Sequence, residues 1–312
     1  VWWHNLEYAG RRSIAEGFDN LRVALQQQAP SAAPAWLLAF AGLFAPGAAG
    51  GRERAILGAW WVASLAGVAV GLQFRPHYFV QALPALAAAA GLGLAAAVGA
   101  AASSRRRSGA IVAAVLAIAV VGAPALANRR ALTAASPAAA AREIWGLNPF
   151  PEARTIARHI QRTSGPDETV FVVGSEPQIP FYAERRSATR YIFFYPLTGG
   201  YPSARERQEE VWEEVQRARP LYVVWVHLQA SRLISAQTDP WLFEVSERML
   251  ARDYEIESVA HPDARGEDYV FAHGSEAVRW FREERDQLEH LPWVAVYRRA
   301  PGIKPTNEEG KR

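Results

Sequence analysis

Three stretches of the chain gather side chains able to do chemistry. In Gln73-Phe-Arg75-Pro-His77-Tyr78, a guanidinium, an imidazole and a phenol flank a proline that shapes a corner. Guanidinium forks suit phosphate oxygens, and a tyrosine ring belongs at a membrane interface, so Arg75, His77 and Tyr78 can hold an anionic lipid headgroup. The plainer reading is that Arg75 snorkels and Tyr78 is an interfacial belt residue. The second stretch is Gly174-Ser-Glu176-Pro-Gln178 with Arg185, Arg186 and Arg190. Glu176 follows the C-terminal end of an expected strand, where α/β sheets place ligand contacts. A solvated salt-bridge patch joining a helix to the next strand explains the same residues and is preferred. The third is Trp2-Trp3-His4-Asn5-Leu6-Glu7-Tyr8, whose paired tryptophans suit an interface. His4 and Glu7, three apart, can share a helix face for acid–base or metal work, although such a pair is more often structural.

Other chemistry is excluded. With no cysteine there is no disulfide scaffold, no thiolate zinc site and no cysteine nucleophile. The chain has no GxxxxGK loop, no HExxH and no GxSxG elbow, and Gly91-Leu-Gly93 lacks the third glycine of a dinucleotide fingerprint. No metal and no cofactor are expected. A formal charge of +3 is too small to argue for nucleic acid.

The elements that must position these residues divide the chain. A length of 312 residues points to about two domains. Between 31 and 150 the charges are confined to Arg52–Arg54, Arg75, Arg105–Arg107, Arg129, Arg130, Arg142 and Glu143, whereas they crowd the chain from Pro151 onward. The uncharged runs Val23–Gly51, Ala55–Phe74, Pro76–Ser104 and Ser108–Asn128 each reach the ~20 residues a helix needs to cross a bilayer. Four transmembrane helices are expected near 34–50, 55–73, 78–101 and 109–127, after an outer interfacial segment over 1–33. Gln26-Gln27-Gln28-Ala-Pro30 reads as a polar loop within that segment. Gly67-Val-Ala-Val-Gly71 is a GxxxG expected to pack closely on a neighbouring helix. The arginines of Gly51–Arg54 and Ser103–Ser108 mark one side as cytoplasmic, which puts the Phe74–His77 corner and everything after Asn128 on the other.

After a link over 131–149, residues 150–300 alternate between helix and strand signals. Thr169–Val173, Leu221–Val226 and Trp293–Tyr297 are apolar runs of buried-strand type, and Arg190–Phe194, Tyr254–Ala260 and Tyr269–Ala272 read as further strands. The fold expected here is an extracytoplasmic α/β domain with a mostly parallel sheet, with an antiparallel arrangement left open for the last three strands. The tail, 301–312, reads as disordered. The chain opens Val-Trp-Trp and its only methionine is Met249, which suggests a piece of a longer protein.

In this order, Trp2-Trp3…Tyr8, the amphipathic Ile14–Leu25, Arg75-Pro-His-Tyr-Phe…Gln81-Ala-Leu-Pro84-Ala-Leu86, Phe150-Pro-Glu-Ala…Ile160 and Val170–Tyr191 resemble the C-terminal part of bacterial membrane glycosyltransferases of the GT-C type. The relatives concerned are those of family 39, which includes protein O-mannosyltransferases and the transferase that adds aminoarabinose to lipid A. The resemblance implies an integral protein of the bacterial cytoplasmic membrane. It would take a sugar from a polyprenyl-phosphate donor and pass it to a lipid, glycan or protein acceptor at the outer face. The family's catalytic carboxylate lies in the first outer loop, which has no counterpart here. No residue inherits the catalytic role, and the chain alone is expected to be inactive. By resemblance Arg75 and Tyr78 are the donor-phosphate contacts. A competing reading is a non-enzymatic, membrane-anchored extracytoplasmic binding or assembly module. A transporter is disfavoured because no ionisable residue sits in mid-span.

Overall fold

The computed structural model describes residues 13–44, 49–103, 107–284, 287 and 289–302. The Trp2–Tyr8 cluster with His4 and Glu7, and the tail from 303, lie outside the described residues. The chain divides into two units, Val1–Thr133 and Ala134–Arg312.

The first unit is helical. Helix α1, Ile14–Phe44, starts at a reciprocal capping box: the Ser13 N–H donates to Glu16 Oε2 at 2.8 Å, and the Glu16 N–H donates to Ser13 Oγ at 3.2 Å. It runs unbroken through Pro30 and Pro34, so the polar loop expected at Gln26–Pro30 is helix instead. Packing outweighs the local signal here. Leu72 packs against Gly17 near the start of α1, and Gly42 lies against other backbone near its end. Helix α2 is Gly51–Ala69. A 3-10 turn, Pro76–Ala82, then leads into α3, Leu83–Ser103, and α4 is Arg107–Ala127.

The close backbone crossing joins α1 to α3, not the Gly67–Gly71 pair. A Cβ on Gly42 would fall 2.0 Å from the Ala89 carbonyl oxygen, and one on Gly93 would fall 2.0 Å from that of Leu38. Gly67 instead faces the Gln81 side chain. Trp61 closes this core against Trp36 and Phe40, with ring centroids 5.3 and 5.0 Å away.

Helices occupy most of the described part of each stretch expected to cross a membrane, but the described residues hold one helix, Pro76–Ala102, that is both long and apolar enough to do so. Ala114–Ala127 is apolar but shorter. Helix α1 carries Glu16, Asp19 and Arg22, and α2 opens on Arg52-Glu53-Arg54, so their apolar character is confined to part of their length.

The second unit is an α/β fold. Helix α5, Pro137–Trp145, lies within the stretch read as a link, and Ser136 caps it by accepting the Ala139 N–H. Helix α6, Phe150–Thr163, has Pro151 in its first turn and buries Ala153, Ile156, Ala157 and Ile160, the spacing of one helical face. Then come β1 (Thr169–Val173), α7 (Gln178–Ala183), β2 (Arg186–Ser187), α8 (Ala204–Ala218) and β3 (Tyr222–His227). The chain ends with α9 (Trp241–Asp253), β4 (Tyr254–Pro262), β5 (Tyr269–His273), α10 (Ser275–Glu283) and β6 (Trp293–Arg299). One face of the sheet packs α6 and α7 through Ile156, Ile160, Val170, Ile179 and Val224. The other packs α8, α9 and α10 through Phe171, Val211, Trp225, Leu242 and Ala277.

The strand order is β2-β1-β3-β6-β4-β5, and the sheet is mixed, not mostly parallel. Only β1 with β2 and β1 with β3 pair in parallel; β3–β6, β6–β4 and β4–β5 are antiparallel. Two features explain the direction. The turn between β4 and β5 is short, with Asp263 Oδ1 accepting the N–H groups of Arg265 and Glu267, and only antiparallel strands close so tightly. The last strand begins Trp293-Val-Ala-Val, buried on both faces, so it sits in the middle of the sheet, between β3 and β4. No strand forms at Arg190–Phe194. Glu214 Oε2 accepts the Arg190 N–H, Thr189 Oγ1 accepts that of Tyr191 and Ser175 Oγ accepts that of Phe194, so side chains satisfy the backbone that a ladder would have paired.

Candidate functional site

In the first unit the corner after α2 is bent by two non-glycine residues with positive φ, Leu72 at 51° and Phe74 at 46°. A left-handed conformation costs about 1–2 kcal/mol per such residue. Helix α1 holds it: Asn20 Nδ2 donates to the Leu72 carbonyl at 3.0 Å, and the Leu72 side chain meets Gly17. Asn20, Gln27, Gln73 and Arg75, with Val23 and Phe74 among the apolar residues, line a cavity of about 200 Å³. Gln73 is 5% exposed, and its Nε2 has no hydrogen-bond partner. Its Oε1 meets Arg75 Nε at 3.5 Å, the outer limit of a hydrogen bond. An unpaired buried amide donor costs about 1–3 kcal/mol, so an acceptor entering the cavity would be welcomed.

Of the three residues expected at this corner, Arg75 lines the cavity, whereas His77 and Tyr78 do not. Their rings pack edge to face at 4.6 Å, and Tyr78 leans on the Ala24–Val68–Phe79 cluster. Asn20 and Gln27 are the partners that sequence reasoning missed. The run Gln26–Gln28 was the available signal, and it reads as a cavity wall only once it is known to be helical. The cavity offers amide and guanidinium donors and no carboxylate among its lining residues, so it can bind an anion but has no group to accept a proton.

In the second unit the residues expected to form a patch lie apart. Glu176 follows β1 at the C-terminal end of the parallel strands. Arg186 pairs in register with Thr169, the first residue of β1, and so sits at the opposite end. Arg185 spends its guanidinium on the C-terminal turn of α6, donating to the Gln161 and Ser164 carbonyls at 2.9 and 2.7 Å and to Ser164 Oγ at 2.9 Å. Arg190 is bound to α8 through Glu210 at 2.5 Å and Glu214 at 3.5 Å.

Glu176 occupies the crevice where the connection after β1 leaves for one face of the sheet and that after β3 for the other. Its Oε2 accepts the Ser231 hydroxyl at 2.7 Å, and Ser231 Oγ in turn accepts the Ser175 N–H at 2.9 Å. Burial pushes the Glu176 carboxyl up to about 7, despite that bond and the charge of Arg232. Arg232 Nη2 meets His227 Nδ1 at 2.7 Å, while its buried Nε has no partner. His227 stacks on Trp293 at 4.9 Å; burial and then Arg232 hold its pKa below the usual histidine value. A Cβ at Gly174 would fall 2.5 Å from Glu176 Oε2, 2.7 Å from Ser231 Oγ and 2.9 Å from Val226 Cβ, so a larger residue there would force the Glu176–Ser231 pair to shift. The Glu176–Ser231 bond fills the crevice and ties the two loops together.

Among the described residues no three His, Asp or Glu side chains gather as a metal site. Compared with protein-family models, curated proteins and solved structures, the chain matches none.

Proposed function

We propose that the chain is the donor-binding and extracytoplasmic part of an integral-membrane glycosyltransferase that takes a sugar from a polyprenyl-phosphate carrier in the bacterial cytoplasmic membrane. One observation carries this reading: the cavity that pairs Arg75 with the unsatisfied amide of Gln73 lies directly before the helix able to cross a membrane. A lipid-linked phosphate sits at the level where such a helix enters the bilayer. Departure of that phosphate from the sugar needs hydrogen-bond donors, which Arg75 and Gln73 supply. The acid–base half of the reaction has no candidate in the cavity. The large outward-facing side chains of the first unit, such as Phe44, Ile118 and Val121, favour a lipid setting. In that setting the proposed crossings are 34–50, 55–73, 78–101 and 109–127, with Arg52, Arg54 and Arg105–Arg107 on the cytoplasmic side.

The test is binding of a long-chain polyprenyl phosphate to the chain in lipid nanodiscs, followed by native mass spectrometry. Arg75→Ala should weaken binding about tenfold or more, and the corresponding polyprenol should bind no better than the variant binds the phosphate. Equal binding of phosphate and alcohol would sink the reading. The competing non-enzymatic module draws on the second unit, whose Glu176 crevice is closed by its own Ser231. It predicts that Arg75→Ala leaves cell-surface glycans unchanged.

A further inference from the structure

The second unit carries a larger cavity that neither the corner nor the Glu176 crevice involves. The face covered by α6 and α7 has fewer helices than the face covered by α8, α9 and α10, so its antiparallel half is only partly roofed. Between α6 and strands β4, β5 and β6 this leaves a space of about 360 Å³. Its walls are chemically divided. Ile156, Val296 and Phe271 form an apolar side, extended by His273, whose ring stacks on Phe271 at 6.1 Å. Arg158, His159 and Arg162 form the other side.

The basic side carries uncompensated charge. Arg154, Arg158 and Arg162 recur every fourth residue and therefore share one stripe of α6. Arg154 spends its guanidinium on the Tyr182 ring, 5.2 Å away. Arg158 and Arg162 line the cavity, and neither has an ion pair or hydrogen-bond partner among the described residues. Like charges one turn apart repel, and an anion held between them would relieve that repulsion. Glu257 is shared between His159 at 3.1 Å and Arg298 at 3.8 Å. The His159–Glu257 pair is close but poorly aligned, which leaves His159 Nε2 without a hydrogen bond.

We propose that this cavity is a binding site for a monosaccharide phosphate, with Arg158 and Arg162 taking the phosphate and the Phe271–His273 wall taking the face of the sugar ring. Two guanidinium forks suit the several oxygens of a phosphate better than a single carboxylate. The volume lies at the small end of the usual range for small-molecule sites, about 300–1,000 Å³, which fits one sugar and not a dinucleotide. The site is independent of the polyprenyl-phosphate reading, since it uses none of the corner residues.

The test is calorimetric titration of the full chain in detergent with glucose 1-phosphate and, separately, inorganic phosphate. The double variant R158Q/R162Q should weaken glucose 1-phosphate binding about tenfold or more, while Arg75→Gln changes it less than about twofold. Both arginines are exposed on the helix, so circular dichroism of the double variant should match that of the native chain. Absence of binding by the native chain, undiminished binding by the double variant, or a loss that follows Arg75 would each overturn the proposal. Inorganic phosphate binding as tightly as the sugar phosphate would remove the sugar from it.

Discussion

The central cluster of the first unit mixes alanines, Ala39, Ala85, Ala89 and Ala90, with Leu38, Leu57, Leu86 and Trp61, while Phe44 at 75% exposed and Val121 at 74% face outward. In the second unit Phe171, Phe194, Tyr222 and Trp225 are buried, and apart from Glu152 and Arg207 the charged residues of α6 and α8 lie toward the surface. The two units therefore draw their cohesion from different sources. Removing apolar area from water drives the second. In the first, many large apolar groups face outward, and the α1 and α3 backbones approach closely at Gly42 and Gly93, so close backbone packing contributes beside the buried leucines and Trp61. Substitutions that change size should act in opposite senses in the two.

Truncation in the second unit should give the largest effect. Phe194 is fully buried, with Phe171 and Phe243 rings 6.3 and 5.9 Å away. Phe194→Ala should cost about 3–5 kcal/mol, read from urea unfolding of the chain by tryptophan fluorescence. A loss below about 1 kcal/mol would mean that this core is not what holds the second unit, and the contrast between the units would fail.

The next effect concerns charge and is expected to depend on pH. The Glu176 carboxyl, raised from 4.5 to about 7, binds its proton more tightly in the folded chain than in the unfolded one. The stability this confers is present at low pH and is lost as pH rises from about 4.5 to about 7, by on the order of 3 kcal/mol at most. Glu176→Gln keeps an acceptor for the Ser231 hydroxyl and removes the charge. The variant should unfold at the same urea concentration as the native chain near pH 4.5 and at a higher one near pH 8. Parallel behaviour of the two proteins across that range would show that the carboxyl is not strained by burial.

How far such features were legible depended on whether the determining contact was local. Strands β1, β3 and β6 and the buried face of α6 were readable because continuous apolar runs and a helical rhythm are written in consecutive residues. Sheet direction was readable only in part: the antiparallel arrangement left open for the last three strands is present, but the placement of β6 between β3 and β4 is decided by residues far apart in the chain. The same reason hides the corner cavity: Arg75 and Gln73 stand in one motif, but Asn20 and Gln27 lie far earlier in the chain, on α1. Proximity in sequence misled in the other direction as well. Glu176 and Arg186 lie ten residues apart yet fall at opposite ends of the parallel strands. Arg158 and Arg162 were plain as residues, and only the incomplete roof over β4 and β5 makes a site of them.

The smallest expected effect tests the first unit alone, by adding one methyl group at two glycines. Gly42 sits where α1 crosses α3, and a Cβ there would lie 2.0 Å from the Ala89 oxygen and 2.6 Å from the Gly93 nitrogen. Both obstacles are backbone, so the helices must separate along the contact. Gly42→Ala should therefore cost about 1–3 kcal/mol, seen as a lower midpoint of thermal denaturation in detergent. Gly122 in α4 has nothing within 4 Å of its would-be Cβ. There the same substitution removes a flexible residue from a helix interior and should be neutral or stabilising by up to about 1 kcal/mol. A close backbone crossing requires the two signs to differ. If both variants melt alike, the first unit is held by its larger side chains, and the distinction drawn between the two units disappears.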